Sequence, residues 1–228
     1  MRAIPIIALD VPTTDAALTL VDRLGERCRF YKIGNELFTA AGPHVVSEVR
    51  ARGCDVFLDL KFHDIPNTVA GGVRNAARLG ARLVTVHATG GAAMLRAAAD
   101  AASDSCGVLA VTVLTSLAAQ EIAAAWGRHE PIDLSAEVLR LASDSAAAGV
   151  HGVVCSGHEA AAIHARFGDL AILVPGVRAS GAATQDQARV VTPRAAADAG
   201  ARYIVVGRMV TAAADPPAAM DALLRDIE

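Results

Sequence analysis

Residues 59–68 have the sequence DLKFHDIPNT and directly follow VFL, an apolar, strand-like run at residues 56–58. In a β-strand alternate side chains share one face, so Asp59 and Lys61 are expected to project in the same direction. Pro66 suits the first turn of a helix, where its missing N–H removes no hydrogen bond. The stretch therefore predicts a buried strand, a short charged loop and the start of a helix.

The charged residues of this stretch indicate chemistry as well as fold. Charges at the end of a buried strand are costly unless they pair or take part in a reaction. Lys61 lies between Asp59 and Asp64 in the sequence, and nearby negative charge favours the charged form of an amine. A lysine held in this form is a good proton donor and a poor nucleophile, and this is the role that we predict for Lys61.

The same alternation of strand and helix recurs along the whole chain. The predicted strands are Ile4–Leu9, Arg29–Ile33, Val56–Leu60, Leu83–His87, Gly107–Leu114, Gly152–Cys155, Ala171–Val174 and Tyr203–Val206. The predicted helices are Thr14–Gly25, Glu36–Arg52, Ile65–Leu79, Gly91–Ser103, Leu134–Ala148, Gly157–Phe167, Pro193–Ala199 and Ala213–Ile227. Eight such units in 228 residues predict an α/β protein with a single (β/α)8 TIM barrel, formed by residues 1–228 as one domain. A doubly wound open sheet is the alternative, but no Gly-x-Gly-x-x-Gly follows the first strand to bind a dinucleotide.

Composition limits the partners and the compartment. Hydrophobic residues make up 53% of the chain, and the formal net charge is -3 without a long run of one sign. This charge gives no reason to expect nucleic acid or a membrane surface as a partner. The four cysteines are scattered without metal-ligand spacing. No secretory signal is expected, because the apolar run near Met1 is short and Pro5 interrupts it. A cytoplasmic protein with reduced thiols is predicted.

Polar residues stand at the ends of nearly all the predicted strands. They are Asp10, Lys32, Asp59, Lys61, His87, Thr115, Ser116, Ser156, Arg178, Gly207 and Arg208. In a TIM barrel the carboxyl ends of the strands form the face that carries the active site. A few polar residues near solvent would be ordinary, but two lysines and two aspartates on an apolar scaffold indicate a reaction centre.

The last two strand ends indicate a phosphate group in the ligand. Residues 174–178 (VPGVR) and 206–208 (VGR) place glycines beside arginines in the loops that usually bind phosphate in such barrels. Glycine allows backbone N–H groups to approach a ligand closely, and arginine donates two parallel hydrogen bonds to phosphate oxygens. Each pair alone could be a turn with a solvated side chain. Together they favour a phosphorylated small molecule.

Several single residues keep an alternative interpretation. Asp10 can accept hydrogen bonds from a sugar hydroxyl, and it could equally cap the first helix. Lys32 is expected to point inward and to pair with Asp59, although a lysine extending to solvent is the alternative. His63 is interpreted as a residue that orients its loop, and His87 as a structural histidine. Cys155 is interpreted as a residue of the packed core, because no base is evidently placed to activate its thiol as a nucleophile.

These motifs, in this order, resemble the orotidine 5'-phosphate decarboxylase family. The ten residues 59–68 carry the most specific part of the resemblance, which extends along essentially the whole chain. The shorter matching motifs are ALD at residues 8–10, YKIG at 31–34, VHATGG at 86–91, VTVLTS at 111–116, VPGVR at 174–178 and VGR at 206–208.

The resemblance implies an activity and an assembly. It implies conversion of orotidine 5'-phosphate (OMP) to UMP and CO2 in de novo pyrimidine biosynthesis, with no cofactor and no metal. Electrostatic stabilisation of a carbanion at C6, which Lys61 protonates, would lower the barrier. It also implies a homodimer of barrels in which Asp64, Ile65 and Thr68 lie near the partner's site.

The resemblance also assigns roles to residues. Lys32, Asp59, Lys61 and Asp64 would form an alternating charged array at the reacting carbon. Asp10 and Lys32 would bind the ribose hydroxyls, and Thr68 would reach the partner's site. The pyrimidine edge is assigned to Thr115 and Ser116, and the phosphate to Gln187, Gly207 and Arg208 with Arg178 nearby.

Two other functions are also compatible with the sequence. A metal-dependent hexulose-phosphate synthase or keto-gulonate-phosphate decarboxylase of the same superfamily shares an Asp-x-Lys-x-x-Asp core. The residues around that core, Phe62-His63 and Ile65-Pro66-Asn67-Thr68, argue against this alternative, and metal dependence would decide it. A non-catalytic nucleotide-binding barrel is the other alternative, although every residue of the charged array is present.

Overall fold

A computed structural model describes residues 3–102, 104–130, 132–178 and 191–228. Its strands are β1 (Ile4–Ala8), β2 (Phe30–Gly34), β3 (Asp55–Phe62), β4 (Leu83–His87), β5 (Gly107–Val111), β6 (Gly152–Val154), β7 (Ala171–Val174) and β8 (Tyr203–Val206). Each strand pairs in parallel with the next in the chain, and β8 pairs with β1 to close the barrel. The predicted (β/α)8 barrel is confirmed.

Helices connect the strands on the outside of the barrel. Within the described residues they are α1 (Thr14–Leu24), α2 (Asn35–Ala41), α3 (His44–Ala51), α4 (Pro66–Arg78), α5 (Gly91–Ala101), α6 (Ala119–Ala125), α7 (Leu134–Ala147), α8 (Gly157–Arg166), α9 (Pro193–Asp198), α10 (Arg208–Thr211) and α11 (Pro216–Asp226). Pro66 stands in the first turn of α4, as its fixed φ angle and missing N–H favour. None of these helices is long and apolar enough to cross a membrane.

The alternation of side chains along each strand divides the core in two. One buried cluster takes inward-facing residues from all eight strands, among them Ile6 and Ala8 of β1 and Phe57 of β3. The other cluster joins the outward-facing residues, such as Ile7 and Ile33, to the helices. Because the side-chain period of a strand is two residues, the inward series continues directly into the residues at the strand ends.

Four polar residues continue this inward series on the neighbouring strands β1 to β4. Asp10 follows Ala8, Lys32 follows Phe30, Asp59 follows Phe57 and Thr85 follows Leu83, each at a spacing of two residues. The register supports this arrangement, since Lys32 pairs with Ala8 on one side and with Phe57 on the other. The fold therefore directs these four side chains towards one end of the barrel interior.

Strand β3 is irregular at the point where its charged residues lie. Its pairing with β4 is regular at Leu58 and resumes only at Phe62, with a shift of register between them. Within this irregular segment, Lys61 has a φ angle of 51°, and no other non-glycine residue among those described has a positive φ. The side chain of Lys61 thus leaves the regular alternation of the strand.

Some predicted boundaries were wrong. The predicted helix Glu36–Arg52 is two helices, α2 and α3, because Gly42 adopts a φ angle of 64° and Pro43 follows it. The fifth strand ends at Val111 rather than Leu114, and helix α6, which was not predicted, precedes α7. After β8 the chain forms the short helix α10 before α11, where one helix was predicted.

Candidate active site

A cavity of about 530 Å3 opens at the carboxyl ends of the barrel strands. The sequence-predicted residues that line it are Asp10, Lys32, Asp59, Lys61, Thr115, Ser116, Arg178, Gly207 and Arg208. Apolar residues of the barrel interior, such as Phe57 and Val154, also line it. The fold thus brings together side chains from strand ends that are up to about 200 positions apart in the sequence.

Asp59 is the centre of a charged cluster within this cavity. Both of its carboxylate oxygens accept hydrogen bonds from the Lys61 ammonium at 2.9 Å, and the Lys32 ammonium lies 3.8 Å away. The side chains of Asp59 and Lys32 are each only 12% exposed, whereas that of Lys61 is 32% exposed. Two ammonium groups therefore flank one largely buried carboxylate, and the more exposed of the two belongs to Lys61.

Asp10 extends the cluster on the other side of Lys32. The Lys32 ammonium donates a hydrogen bond of 2.8 Å to the Asp10 carboxylate, so that Asp10, Lys32, Asp59 and Lys61 alternate in sign. The helix-capping alternative for Asp10 was wrong, because the side chain of Thr13 caps α1. The predicted pairing of Lys32 with Asp59 is confirmed in geometry, and Lys32 has Asp10 as a second partner.

Gly34 leaves the room that Lys32 occupies. A Cβ atom at position 34 would lie 3.0 Å from the Lys32 ammonium and 3.5 Å from the Asp10 carboxylate. The distance of 3.0 Å is tighter than ordinary packing, whereas 3.5 Å is an ordinary contact, so a side chain at this position would push the ammonium away by a few tenths of an ångström. The glycine at the end of β2 therefore helps to determine where the positive charge of Lys32 lies.

Thr85 is a site residue that the sequence analysis missed. Its hydroxyl lies 2.9 Å from a carboxylate oxygen of Asp59 and 2.9 Å from the backbone nitrogen of Lys61. The residue is completely buried in the middle of β4. A polar residue within the otherwise apolar run Leu83–Val86 is a signal that could have identified it, since a buried hydroxyl needs a partner.

Asp64, Ile65 and Thr68 do not join the cavity of their own chain. Residues 63–68 are all exposed, and Ile65 is 67% exposed despite its apolar side chain. The Asp64 carboxylate accepts a hydrogen bond of 2.6 Å from the backbone N–H of Ile65, at the residue before α4 begins. The four-residue charged array predicted from the resemblance thus contains Lys32, Asp59 and Lys61 within one chain, and Asp64 lies outside it.

Two histidines lie beside the charged cluster. The rings of His63 and His87 are 5.3 Å apart between centroids and tilted by 31°. Burial, followed by the electrostatic influence of His63 and Lys61, lowers the pKa of His87. This supports the interpretation of His87 as a neutral, structural side chain near neutral pH.

The residues predicted to bind phosphate and base line the same cavity from the ends of β5, β7 and β8. Thr115 is buried and Ser116 is exposed, both shortly after β5. Gly207 precedes α10 directly, and Arg208 is its exposed first residue. The guanidinium of Arg178 donates a hydrogen bond of 2.9 Å to the carbonyl of Val177. Gln187 lies outside the described residues.

The arrangement combines positive charge with a carboxylate in a pocket open at one end. Such a site can hold an anionic ligand through its arginines, while an ammonium group beside Asp59 can donate a proton to a reacting atom. Among the described residues, no group of three or more His, Cys, Asp or Glu side chains is placed to hold a metal ion. The prediction that no metal is needed stays a prediction.

Comparison with known proteins gives the family. Residues 4–223 match the family described as Orotidine 5'-phosphate decarboxylase / HUMPS family. An orotidine 5'-phosphate decarboxylase from Halorhodospira halophila is 51% identical over 229 residues, which cover 97% of this chain and 94% of that protein. One from Pseudomonas syringae pv. syringae is 44% identical over 226 residues, covering 97% of this chain and 96% of the relative.

A solved structure agrees with these relatives. The crystal structure of orotidine 5'-phosphate decarboxylase from Lactobacillus acidophilus matches with a TM-score of 0.87 and 34% identity, covering 100% of both chains. The resemblance seen in residues 59–68 and the shorter motifs is thus confirmed over nearly the full length. The chain belongs to the orotidine 5'-phosphate decarboxylase / HUMPS family.

Proposed function

We propose that this chain decarboxylates orotidine 5'-phosphate to UMP and CO2 in pyrimidine biosynthesis, without a metal or an organic cofactor. The observation that carries the proposal is the Lys61 ammonium held 2.9 Å from both oxygens of Asp59 within the cavity. The names of the curated relatives give the substrate. Residues 1–228 would act as one cytoplasmic domain.

Lys61 would supply both charge stabilisation and a proton. Loss of CO2 breaks the bond between C6 and the carboxylate carbon and leaves the electron pair on C6, where no conjugated group accepts it. A neighbouring ammonium stabilises this developing negative charge more than it stabilises the substrate. One N–H proton of Lys61 then forms the new C6–H bond, which yields UMP and leaves a neutral amine that solvent reprotonates.

Asp59 would lie against the substrate carboxylate and repel it. Two like charges about 4 Å apart repel by roughly 4 kcal/mol at an effective dielectric constant near 20. The departure of CO2 as a neutral molecule relieves this repulsion, whereas the attraction between Asp59 and the ammonium of Lys61 remains. The low exposure of Asp59, 12%, supports this role because little solvent screens its charge.

The remaining residues would bind the parts of the nucleotide that do not react. Asp10 and Lys32 would bind the ribose hydroxyls, and Thr115 and Ser116 the pyrimidine edge. The phosphate is assigned to Gly207, Arg208, Arg178 and Gln187. Binding energy from the distant phosphate can be used to hold the reacting carbon against the charged cluster.

The active enzyme would be a homodimer with sites near the subunit interface. Exposure of residues 63–68 supports this, since they directly follow the charged end of β3 and include the exposed apolar side chain of Ile65. Asp64, Ile65 and Thr68 would reach the partner's site, which would explain why they do not line the cavity of their own chain. Sedimentation velocity of the purified protein measures this assembly.

The test of this function is a spectrophotometric assay of OMP loss in excess EDTA. We expect rapid decarboxylation to UMP, and no turnover by Lys61→Ala, which should still bind UMP by calorimetry. Arg225→Ala, an exposed arginine on α11, is the matched control and should keep the parent rate. Activity that needs added magnesium would support the enediolate relatives instead, and UMP binding without turnover would indicate a binding protein.

A further inference from the structure

Thr85 stands opposite the irregular segment of β3. The pairs Leu58–Val84 and Phe62–Val86 are in register, so Thr85 alone on β4 faces Asp59, Leu60 and Lys61 on β3. Extra residues on one strand leave backbone groups without their ladder partners. The hydroxyl of Thr85 accepts a hydrogen bond from one such group, the N–H of Lys61, at 2.9 Å.

The direction of both hydrogen bonds at Thr85 follows from the donors available. The backbone N–H of Lys61 can only donate, so the Thr85 hydroxyl accepts there. The single hydroxyl proton is therefore donated to the carboxylate of Asp59, 2.9 Å away. The buried side chain of Thr85 thus bonds to the carboxylate of Asp59 and to the backbone N–H of Lys61.

The backbone of Lys61 needs such a restraint. A left-handed conformation costs an L-residue with a Cβ atom about 1–2 kcal/mol, and it persists only where the surroundings hold it. The φ angle of 51° at Lys61 directs its ammonium back to Asp59, which lies two positions earlier on the same strand. The hydrogen bond from its N–H to Thr85 is a contact that opposes relaxation of this conformation.

We propose that Thr85 is a positioning residue, which aligns Asp59 and the proton donor Lys61 with the reacting carbon by bonding to both. The proposal rests on the proposed decarboxylase function. Thr85 does not line the cavity, so its effect would pass through the two charged residues. Loss of its hydroxyl would allow the Lys61 backbone to relax and would remove one of the two hydrogen bonds that hold the same carboxylate oxygen of Asp59.

The first test compares Thr85→Val with Thr85→Ser. Valine keeps the shape and removes the hydroxyl, and serine keeps the hydroxyl. A displacement of about 1 Å costs on the order of 100-fold in rate, so we expect Thr85→Val to lose about 10- to 100-fold in kcat with KM changed less than about threefold. Thr85→Ser should restore most of the rate.

Thr112→Val is the matched control. Thr112 is also buried in the barrel, and its hydroxyl donates a hydrogen bond of 2.8 Å to the carbonyl of Val154. We expect this variant to lose thermal stability to a similar extent as Thr85→Val while it retains the parent kcat. If both variants lose the same activity in proportion to their loss of stability, Thr85 is only a structural residue and the proposal is overturned.

A second measurement does not depend on turnover. Lys32 and Lys61 are the only lysines in the chain, although lysine and arginine together number 21. Protein grown with lysine isotopically labelled at Cε therefore gives two side-chain NMR signals, which Lys32→Arg assigns. We expect Thr85→Val to shift the Lys61 signal and Thr85→Ser to leave it near its parent position.

The two readouts separate the positioning role from the function. A parent protein without OMP turnover would refute the decarboxylase function, and a Lys61 signal that still shifts in Thr85→Val would then support positioning alone. A Lys61 signal unchanged in Thr85→Val, with kcat within about threefold of the parent, would overturn the positioning role whatever the activity of the parent.

Discussion

The left-handed backbone at Lys61 leads to a stability prediction with an unusual sign. We compare Lys61→Gly with Lys61→Ala, which both lack the ammonium group and differ only in the Cβ atom. Alanine keeps the penalty of about 1–2 kcal/mol for a φ angle of 51°, and glycine does not. The greater entropy of glycine in the unfolded chain offsets about 0.4–1 kcal/mol of this difference. Lys61→Gly should therefore be the more stable variant by roughly 1 kcal/mol.

The assay for this prediction is urea unfolding followed by circular dichroism, together with thermal melting. A difference of 1 kcal/mol corresponds to roughly 2–4 °C in Tm for a domain of this size. The control pair is Arg96→Ala and Arg96→Gly, at an exposed position within α5. Here the alanine variant should be the more stable, because alanine is favoured over glycine in a helix by about 1 kcal/mol. An alanine variant at position 61 as stable as, or more stable than, the glycine variant would refute the claim that β3 holds Lys61 in a strained conformation.

The remaining predictions concern pH, thiols and packing. Burial lowers the pKa of His87, so the unfolded chain takes up its proton first and the free energy of unfolding falls as the pH drops below about 6.5. Equilibrium unfolding across this pH range should show the fall, and His87→Asn should make it shallower. Burial also raises the pKa of the Cys28 and Cys106 thiols to about 11, so mass spectrometry should find both unmodified after iodoacetamide treatment of the native protein near neutral pH. Gly34→Ala should lower kcat/KM by about tenfold, because its Cβ atom displaces the Lys32 ammonium.

Each of these predictions has a control. For the pH series, the free energy of unfolding is compared between His87→Asn and the parent. If it falls as steeply with pH in both, groups other than His87 cause the fall. For the thiols, iodoacetamide in urea should modify all four cysteines. If Cys28 and Cys106 are modified to the same extent without urea, they are not buried as the structure shows. For Gly34→Ala, the control is Gly168→Ala, whose Cβ atom would approach no closer than 3.8 Å to the nearest contact. Equal rates in the two glycine variants would show that Lys32 has room to move.

The helix boundaries show where local sequence signals were insufficient. The pattern of apolar residues continues through Gly42 and Pro43, and this continuity predicted one helix over Glu36–Arg52. The structure ends α2 at Ala41, because Gly42 takes a left-handed conformation, and α3 starts after Pro43. Helix α6 was missed for a related reason, since its seven residues are too few to establish a clear period.

Local patterns in the sequence were enough to predict the fold class, the approximate position of each strand and the charged residues that line the cavity. These features depend on local patterns: apolar runs fix the strands, and the two-residue period fixes which side of each strand faces inward. Because Asp10, Lys32 and Asp59 continue the inward series of β1, β2 and β3, their meeting at one end of the barrel could be predicted from the sequence.

The pairing of Lys32 with Asp59 was predicted, but the other contacts among these residues are evident only in the folded barrel. The bond from Thr85 to Asp59 joins residues 26 positions apart, and that from Lys32 to Asp10 joins residues 22 apart. Such contacts depend on the register between strands, and the shift of β3 against β4 placed Lys61 outside the regular alternation. A strand pattern specifies the direction of a side chain from its neighbours in sequence, whereas register is set by packing of the closed barrel. For this reason the sequence identified Lys61 but not the threonine that holds it.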